Sequence, residues 1–178
     1  MIQLLKFLFT IIIVTIYLVG CGFTPRNIKS LPPALKQVYY QAEHAYEPLE
    51  IKLKKRLKSC GIVLRSIPQK SSPIINITSN YSHSTYTNIS SAQARTYTLV
   101  YTATIGITDF YHQTLLPPQV ITVTRTISLQ PNEIFELTPQ IGITKQEIVE
   151  ELVMKIFNVL GSHQTVKALK PKTHENSN

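Results

Sequence analysis

Few residues in this chain are equipped for chemistry. Two cysteines (Cys21 and Cys60), five histidines and a single aspartate, Asp109, stand among 178 residues. His44, His83, His112, His163 and His174 never fall three or four positions from one another or from a cysteine, so the local spacing of a metal site is absent. Asp109 and His112 are three apart, but at the end of a strand pattern they read as a turn. The ten acidic residues are otherwise glutamates, which argues against chemistry built on aspartates such as Mg²⁺-dependent phosphate hydrolysis or a carboxylate dyad. No G-x-S-x-G, Walker-type or G-x-G-x-x-G loop occurs. Asn76, Asn80 and Asn88 match glycosylation sequons, a by-product of Thr and Ser richness. Two cysteines support neither a disulfide scaffold nor a zinc-knuckle array. The expectation is a protein that is not an enzyme and has no cofactor.

Cys21 is the exception. Residues 1–20 hold one charged side chain, Lys6, before the apolar run from Phe7 to Val19, a secretory signal a little short for a membrane span. The run stops at Leu18-Val19-Gly20-Cys21, which resembles a bacterial lipobox. That resemblance implies a diacylglyceryl thioether on Cys21, acylation of its amine, and an anchor whose release is negligible. Gly22 rather than Asp after the cysteine implies sorting to the outer membrane. Removal of Lys6 with the signal leaves a net charge of about +7, suited to anionic lipid or lipopolysaccharide phosphates in a compartment without nucleic acid. Cys60, then the remaining thiol, falls on an apolar helical face and is expected to fill core space.

The elements that follow predict one domain behind a tether. Residues 21–33 include Thr24-Pro25 and Leu31-Pro32-Pro33, a stiff, extended lead-in. A short strand over Lys36–Gln41 precedes a helix that Pro48 opens. In that helix Leu49, Leu53, Leu57 and Cys60 form the inner stripe, Glu47 and Glu50 complement its positive end, and Gly61 terminates it. Lys52, Lys54, Lys55, Arg56 and Lys58 occupy its other faces, either as a binding patch or as a solvated surface. Three β segments follow at 73–86, 93–110 and 118–130. In the second, Tyr97, Leu99, Tyr101, Ala103, Ile105 and Ile107 alternate with Thr98, Val100, Thr102, Thr104 and Thr108, which predicts an antiparallel sheet covered on one side. In the third, Arg125 interrupts the apolar row and either sits at the sheet margin, pairs with a glutamate, or meets a ligand. The capping box Thr144-Lys145-Gln146-Glu147 opens a last helix whose stripe runs Ile148, Val149, Leu152, Val153, Ile156, Phe157, Leu160. The expected fold is α+β: a two-layer α/β sandwich over 34–163, order β-α-β-β-β-α, with two helices on one face of a four-stranded mixed sheet. The first two strands are expected to be parallel neighbours and the rest hairpins. Residues 164–178 are expected to form a disordered basic tail.

Cys21-Gly22-Phe23 followed by Arg26, the segment Leu57-Lys58-Ser59-Cys60-Gly61-Ile62-Val63-Leu64, and Gln146 to Leu152 opening the last helix, in this order of elements, resemble the lipopolysaccharide-assembly lipoprotein family LptE, also called RlpB. The resemblance spans about Cys21 to Leu160; where the family often has Leu before the arginine of its N-terminal motif, this chain has Pro25. It implies a plug in the lumen of the outer-membrane β-barrel LptD that assists barrel assembly and insertion of lipopolysaccharide into the outer leaflet. It also implies lipopolysaccharide contacts from the loop between the second and third strands and the loop before the last helix, where the nearest cations are Arg95 and Lys145. The alternative is a lipid-anchored auxiliary component of a phospholipid or ABC transport system of the cell envelope.

Overall fold

A computed structural model describes residues 31–87, 95–129 and 137–170. The elements are β1 (Gln37–Ala42), α1 (Pro48–Ser59), β2 (Val63–Arg65), β3 (Ile74–Thr87), β4 (Arg95–Thr108), β5 (Thr114–Leu129), α2 (Leu137–Leu160) and α3 (His163–Ala168), with a 3₁₀ turn at Pro33–Leu35. The sheet has five strands in the order β2-β1-β3-β4-β5. β1 runs parallel to both β2 and β3, while β3-β4 and β4-β5 are antiparallel. The expected parallel pairing of the first strand with the 73–86 segment is therefore present. The four-strand count is not: the β-α-β crossover closes first onto β2. Three residues with no buried alternation give β2 no sequence signature, and it exists because the chain leaving α1 meets the free edge of β1.

Helix α1 ends as a Schellman motif. Gly61, at φ +78°, donates its amide to Lys58 O at 3.0 Å, and Ile62 donates to Leu57 O at 3.2 Å. Leu57 and Ile62 are both buried, the apolar contact that accompanies this cap. The left-handed turn brings Ile62 to the inward place that the stripe's spacing assigned to Cys60. Cys60 is exposed instead, which corrects its reading as core filling.

Three further boundaries differ from the sequence pattern. Helix α2 begins by Leu137, seven residues before the capping box, so Thr144 is a buried residue of its interior. Pro139 permits this, since in the first turn its missing N–H has no intrahelical acceptor to lose. Ile141 and Lys145 thus lie on helix rather than in a loop. Residues 163–170 are also ordered: Ser162 Oγ accepts the Thr165 amide at 3.2 Å to cap α3, Thr165 Oγ1 donates to Val159 O at 2.6 Å, and Leu169 packs on the core. At the other boundary Pro32 is buried and Leu31 packs against the core, so the domain takes up part of the expected tether. The rest of that tether, the signal and residues 171–178 lie outside the described residues.

The core lies between the two long helices and one sheet face. Leu49, Leu53 and Leu57 of α1 and all seven residues of the expected α2 stripe are buried. They meet Ile75 and Ile77 of β3, the row Tyr97 to Ile107 of β4, and Val123 and Ile127 of β5. At roughly 1.5–3 kcal/mol per fully buried aliphatic or aromatic side chain, this one interface supplies the principal driving force for folding. The pair Pro117-Pro118 sits on the edge strand β5, beside a register shift against β4, where missing amides leave no ladder bond unmade.

Candidate functional site

Over β3, β4 and β5 the face of the sheet opposite the helices is continuous and free of charge, built mostly of hydroxyl and amide side chains with Val100 and Val120 among them; the charge on this face, Arg65, lies on β2 beside Gln37. Its positions follow from register: Thr78, Asn80, Ser82 and Ser84 on β3 lie beside Thr104, Thr102, Val100 and Thr98 on β4, which lie beside Val120, Thr122, Thr124 and Thr126 on β5. The flanking strands expose these side chains and the central strand half-buries them. Hydroxyls pair across strands, with Thr102 Oγ1 and Thr122 Oγ1 3.1 Å apart and Thr96 Oγ1 and Ser128 Oγ 3.5 Å apart. Asn76 Nδ2 donates to Thr108 Oγ1 at 3.0 Å. Hydroxyls serve equally as donor and acceptor, so the face can meet water or another polar wall without a charge to desolvate.

On the helix side the polar groups are fewer and enclosed. Glu50, in the first turn of α1, is fully buried. Ser79 Oγ donates to its Oε1 at 2.5 Å, and its second oxygen has no partner among the described residues. Tyr40 OH donates to the Glu50 carbonyl at 3.4 Å, and burial, reinforced by the Glu50 charge, holds the Tyr40 phenol far above its ordinary range. Burial likewise raises the Tyr101 and Tyr81 phenols. The rings of Tyr81 and Tyr101 meet edge to face with centroids 5.5 Å apart, and Lys145 Nζ lies 4.5 Å above the Tyr81 centroid. The sequence reading of Glu50 as an acid complementing the positive end of the helix did not foresee this burial. The signal was present in its place one residue after Leu49 and three before Leu53, on the inward stripe.

Arg95 and Lys145 are not brought together. Arg95 is exposed at the start of β4, opposite Thr87 and Leu129. Lys145 stands over Tyr81, which pairs with Tyr101, six residues or about 20 Å further along the sheet. Arg125 resolves to one of its alternatives: it faces the helix layer and pairs with Glu151, which Lys155 also holds at 2.9 Å. Hydrogen bonds from Lys155 and then Arg125 keep the Glu151 carboxyl below the usual range. Lys52 pairs with Glu150 and so ties α1 to α2. Among the described residues no three His, Cys, Asp or Glu side chains gather into a metal-binding group, and no helix is long and apolar enough to cross a membrane. Cys21, Gly22 and Arg26 lie outside the described residues.

No protein-family model matches the chain, and no curated protein is significantly similar to it in sequence. Solved structures do match. The solution structure of lipoprotein B from Nitrosomonas europaea superposes with a TM-score of 0.66 at 19% identity, over 81% of this chain and 93% of that one. A minor lipoprotein from Acinetobacter baumannii gives 0.60 at 15% identity, over 71% and 91%. Rare lipoprotein B from Shewanella oneidensis gives 0.57 at 11%, over 72% and 96%. At these identities the likeness is one of fold. This sandwich therefore has the fold of the rare lipoprotein B and minor lipoprotein structures, in agreement with the family that its sequence resembles.

Proposed function

We propose that this chain is a lipid-anchored outer-membrane lipoprotein of the LptE type, a non-enzymatic plug and assembly factor for the LptD barrel in lipopolysaccharide insertion. The observation that carries the reading is the uncharged hydroxyl face of β3, β4 and β5. A water-filled barrel lumen is polar, and a protein seated in it must satisfy that wall without burying charge. The sheet is also long enough to line such a lumen, since β4 runs 14 residues from Arg95 to Thr108, about 45 Å, against a hydrocarbon thickness of about 30 Å. In this reading Cys21 carries the anchor. Arg95, exposed at the end of the sheet far from the tether, is the cation placed to meet a lipid A phosphate, whereas Lys145 is held against Tyr81 and acts from the side.

The test is an affinity pull-down of a C-terminally tagged full chain from detergent-solubilised outer membranes, with partners identified by mass. A near-stoichiometric, heat-modifiable barrel is expected. Recovery with transporter subunits, or with no barrel, overturns the plug reading; transporter subunits would favour an auxiliary role in envelope lipid transport.

A further inference from the structure

The sheet has two unequal edges. β2 forms one with 3 residues, and β5 forms the other with 16. Which backbone groups of β5 face outward follows from the register. Tyr39 donates its amide to Pro73 O and Glu43 to Ile77 O, so the odd-numbered residues of β3 turn their backbone groups to β1 and the even-numbered ones to β4. Asn80 and Thr102 therefore form a hydrogen-bonded pair, and the odd-numbered residues of β4 serve β5. From Gln119 to Leu129 the odd-numbered residues of β5 face β4, whereas Val120, Thr122, Thr124, Thr126 and Ser128 direct N–H and C=O to the free edge. Among the described residues no further backbone hydrogen bond reaches these five, and Thr124 O accepts from Arg125 Nη1 at 3.1 Å. Natural edges are blunted by prolines, bulges or lysines. In β5 the prolines and the register shift lie before Gln119, and the stretch from Gln119 to Leu129 holds no proline, bulge or lysine. Its one charge, Arg125, is turned to the helix layer and held by Glu151.

We infer that this edge pairs, during assembly of the barrel partner, with a strand of that barrel whose own sheet is not yet closed. The inference rests on the plug and assembly reading above. Length is the first argument: a transmembrane β-strand has about 9–11 residues, and the open edge runs from Gln119 to Leu129. Alternation is the second. β5 carries Thr122, Thr124, Thr126 and Ser128 on one face and Ile121, Val123 and Ile127 on the other, so a strand that alternates polar and apolar side chains, as barrel strands do, continues both rows. The third is the absence of a helix layer on such a strand. Helix α2 lies over β5, and a second copy paired edge to edge would bring its own α2 within about one strand spacing, roughly 5 Å, where packed helices need about 8–10 Å. When the barrel closes, its terminal strands take each other as partners and β5 gives its strand up. The domain is then left in the lumen with its hydroxyl face against the wall, so edge pairing belongs to assembly and the lumen seat to the finished complex.

A photo-crosslinking residue at Val120, exposed at one end of this edge, reports the pairing in cells that make the full chain together with its barrel. After a pulse label, a cross-link to the barrel is expected early and is expected to disappear as the barrel becomes heat-modifiable. Proline at an even-numbered position removes an outward amide and spares the β4 ladder. Each forfeited hydrogen bond lowers the paired population about fivefold, so Thr124→Pro with Thr126→Pro lowers the early cross-link about 25-fold. Thr124→Val with Thr126→Val loses the hydroxyls, keeps the amides, and leaves the cross-link within about twofold. If the double proline variant unfolds, Ser128→Pro alone, near the strand end, takes its place with about fivefold expected. Four results overturn the edge pairing and leave the plug reading standing: a cross-link that ignores the prolines, one that falls as far with the valines, one that persists undiminished in the folded barrel, or one that never forms while the tagged chain still recovers the barrel. A cross-link between two copies of this chain overturns it as well. Failure to recover any barrel overturns the plug reading, and this inference with it.

Discussion

Glu50 offers a sharp test of the energetics inside this sandwich. The carboxylate is withdrawn from water, one oxygen accepts the short hydrogen bond from Ser79, and the other accepts none. A buried charge carries a desolvation cost that one hydrogen bond does not offset, so Glu50→Gln, which keeps shape and the Ser79 acceptor while removing the charge, is expected to stabilise the domain by about 1–2 kcal/mol at neutral pH. Ser79→Ala removes the donor and leaves the charge, and is expected to destabilise by about 2–3 kcal/mol, the range for a hydrogen bond to a charged group. In the Gln background the same Ser79→Ala change falls to about 1 kcal/mol, because a neutral bond is then lost. At roughly 4 °C per kcal/mol for a domain of this size, the single variants differ in Tm by more than about 10 °C. Thermal and urea unfolding in detergent, followed by tyrosine near-ultraviolet circular dichroism since the chain has no tryptophan, would measure all four corners of the cycle. If Glu50→Gln destabilises by as much as Ser79→Ala, the charge is compensated and this account of the cluster is wrong.

Gly61→Ala is expected to cost about 1–2 kcal/mol, because the Schellman turn holds φ at +78° although a Cβ there would meet nothing within 4 Å; an unchanged urea midpoint would refute the strain. Glu151 has a carboxyl held below its unfolded value by Lys155 and Arg125. Its contribution to stability is therefore fully present above the unfolded value of about 4.3 and fades as pH falls through the lower folded value. Because solvent reaches and screens this cluster, the group contributes under about 1 kcal/mol, and Glu151→Gln should flatten the acid limb of Tm against pH without moving the neutral plateau by more than a few degrees. Arg95→Glu is expected to weaken lipopolysaccharide binding severalfold with Tm unchanged, whereas Lys145→Glu also costs about 0.5–1 kcal/mol through its contact with Tyr81. Binding in vitro that is unaffected by both substitutions would remove these residues from the contact.

What could be read from the sequence was what depends on local periodicity. The alternation in β4 and the stripe on α2 each name the residues that are buried, since one apolar face must be covered whatever the topology. The parallel β1–β3 pairing followed from the need for a crossover. What could not be read depends on distant partners. β2 has no pattern of its own and is created by the open edge of β1. Thr144 carries a helix-start signature that a longer α2 overrides once Pro139 is placed in the first turn. Cys60 fits the stripe by spacing and leaves it because the Gly61 turn redirects the chain. The Thr face was visible as composition, but its continuity over three strands depends on a register that pairs Thr78 with Thr104 and Thr102 with Thr122.

The position of β1 in the sheet has a consequence for the timing of folding. This strand is synthesised before the rest of the sheet, yet it lies between β2 and β3, and both of its neighbours follow it in the chain. The β3–β4–β5 meander closes through short loops and can form on microsecond timescales, while β1 waits for a crossover and a partner 35 residues downstream. β1 therefore stays unpaired along its β3 edge until residues through Ile77 are available. The interior place of β1 makes its own closure a late event, which completes the sheet only after both of its neighbours have been made.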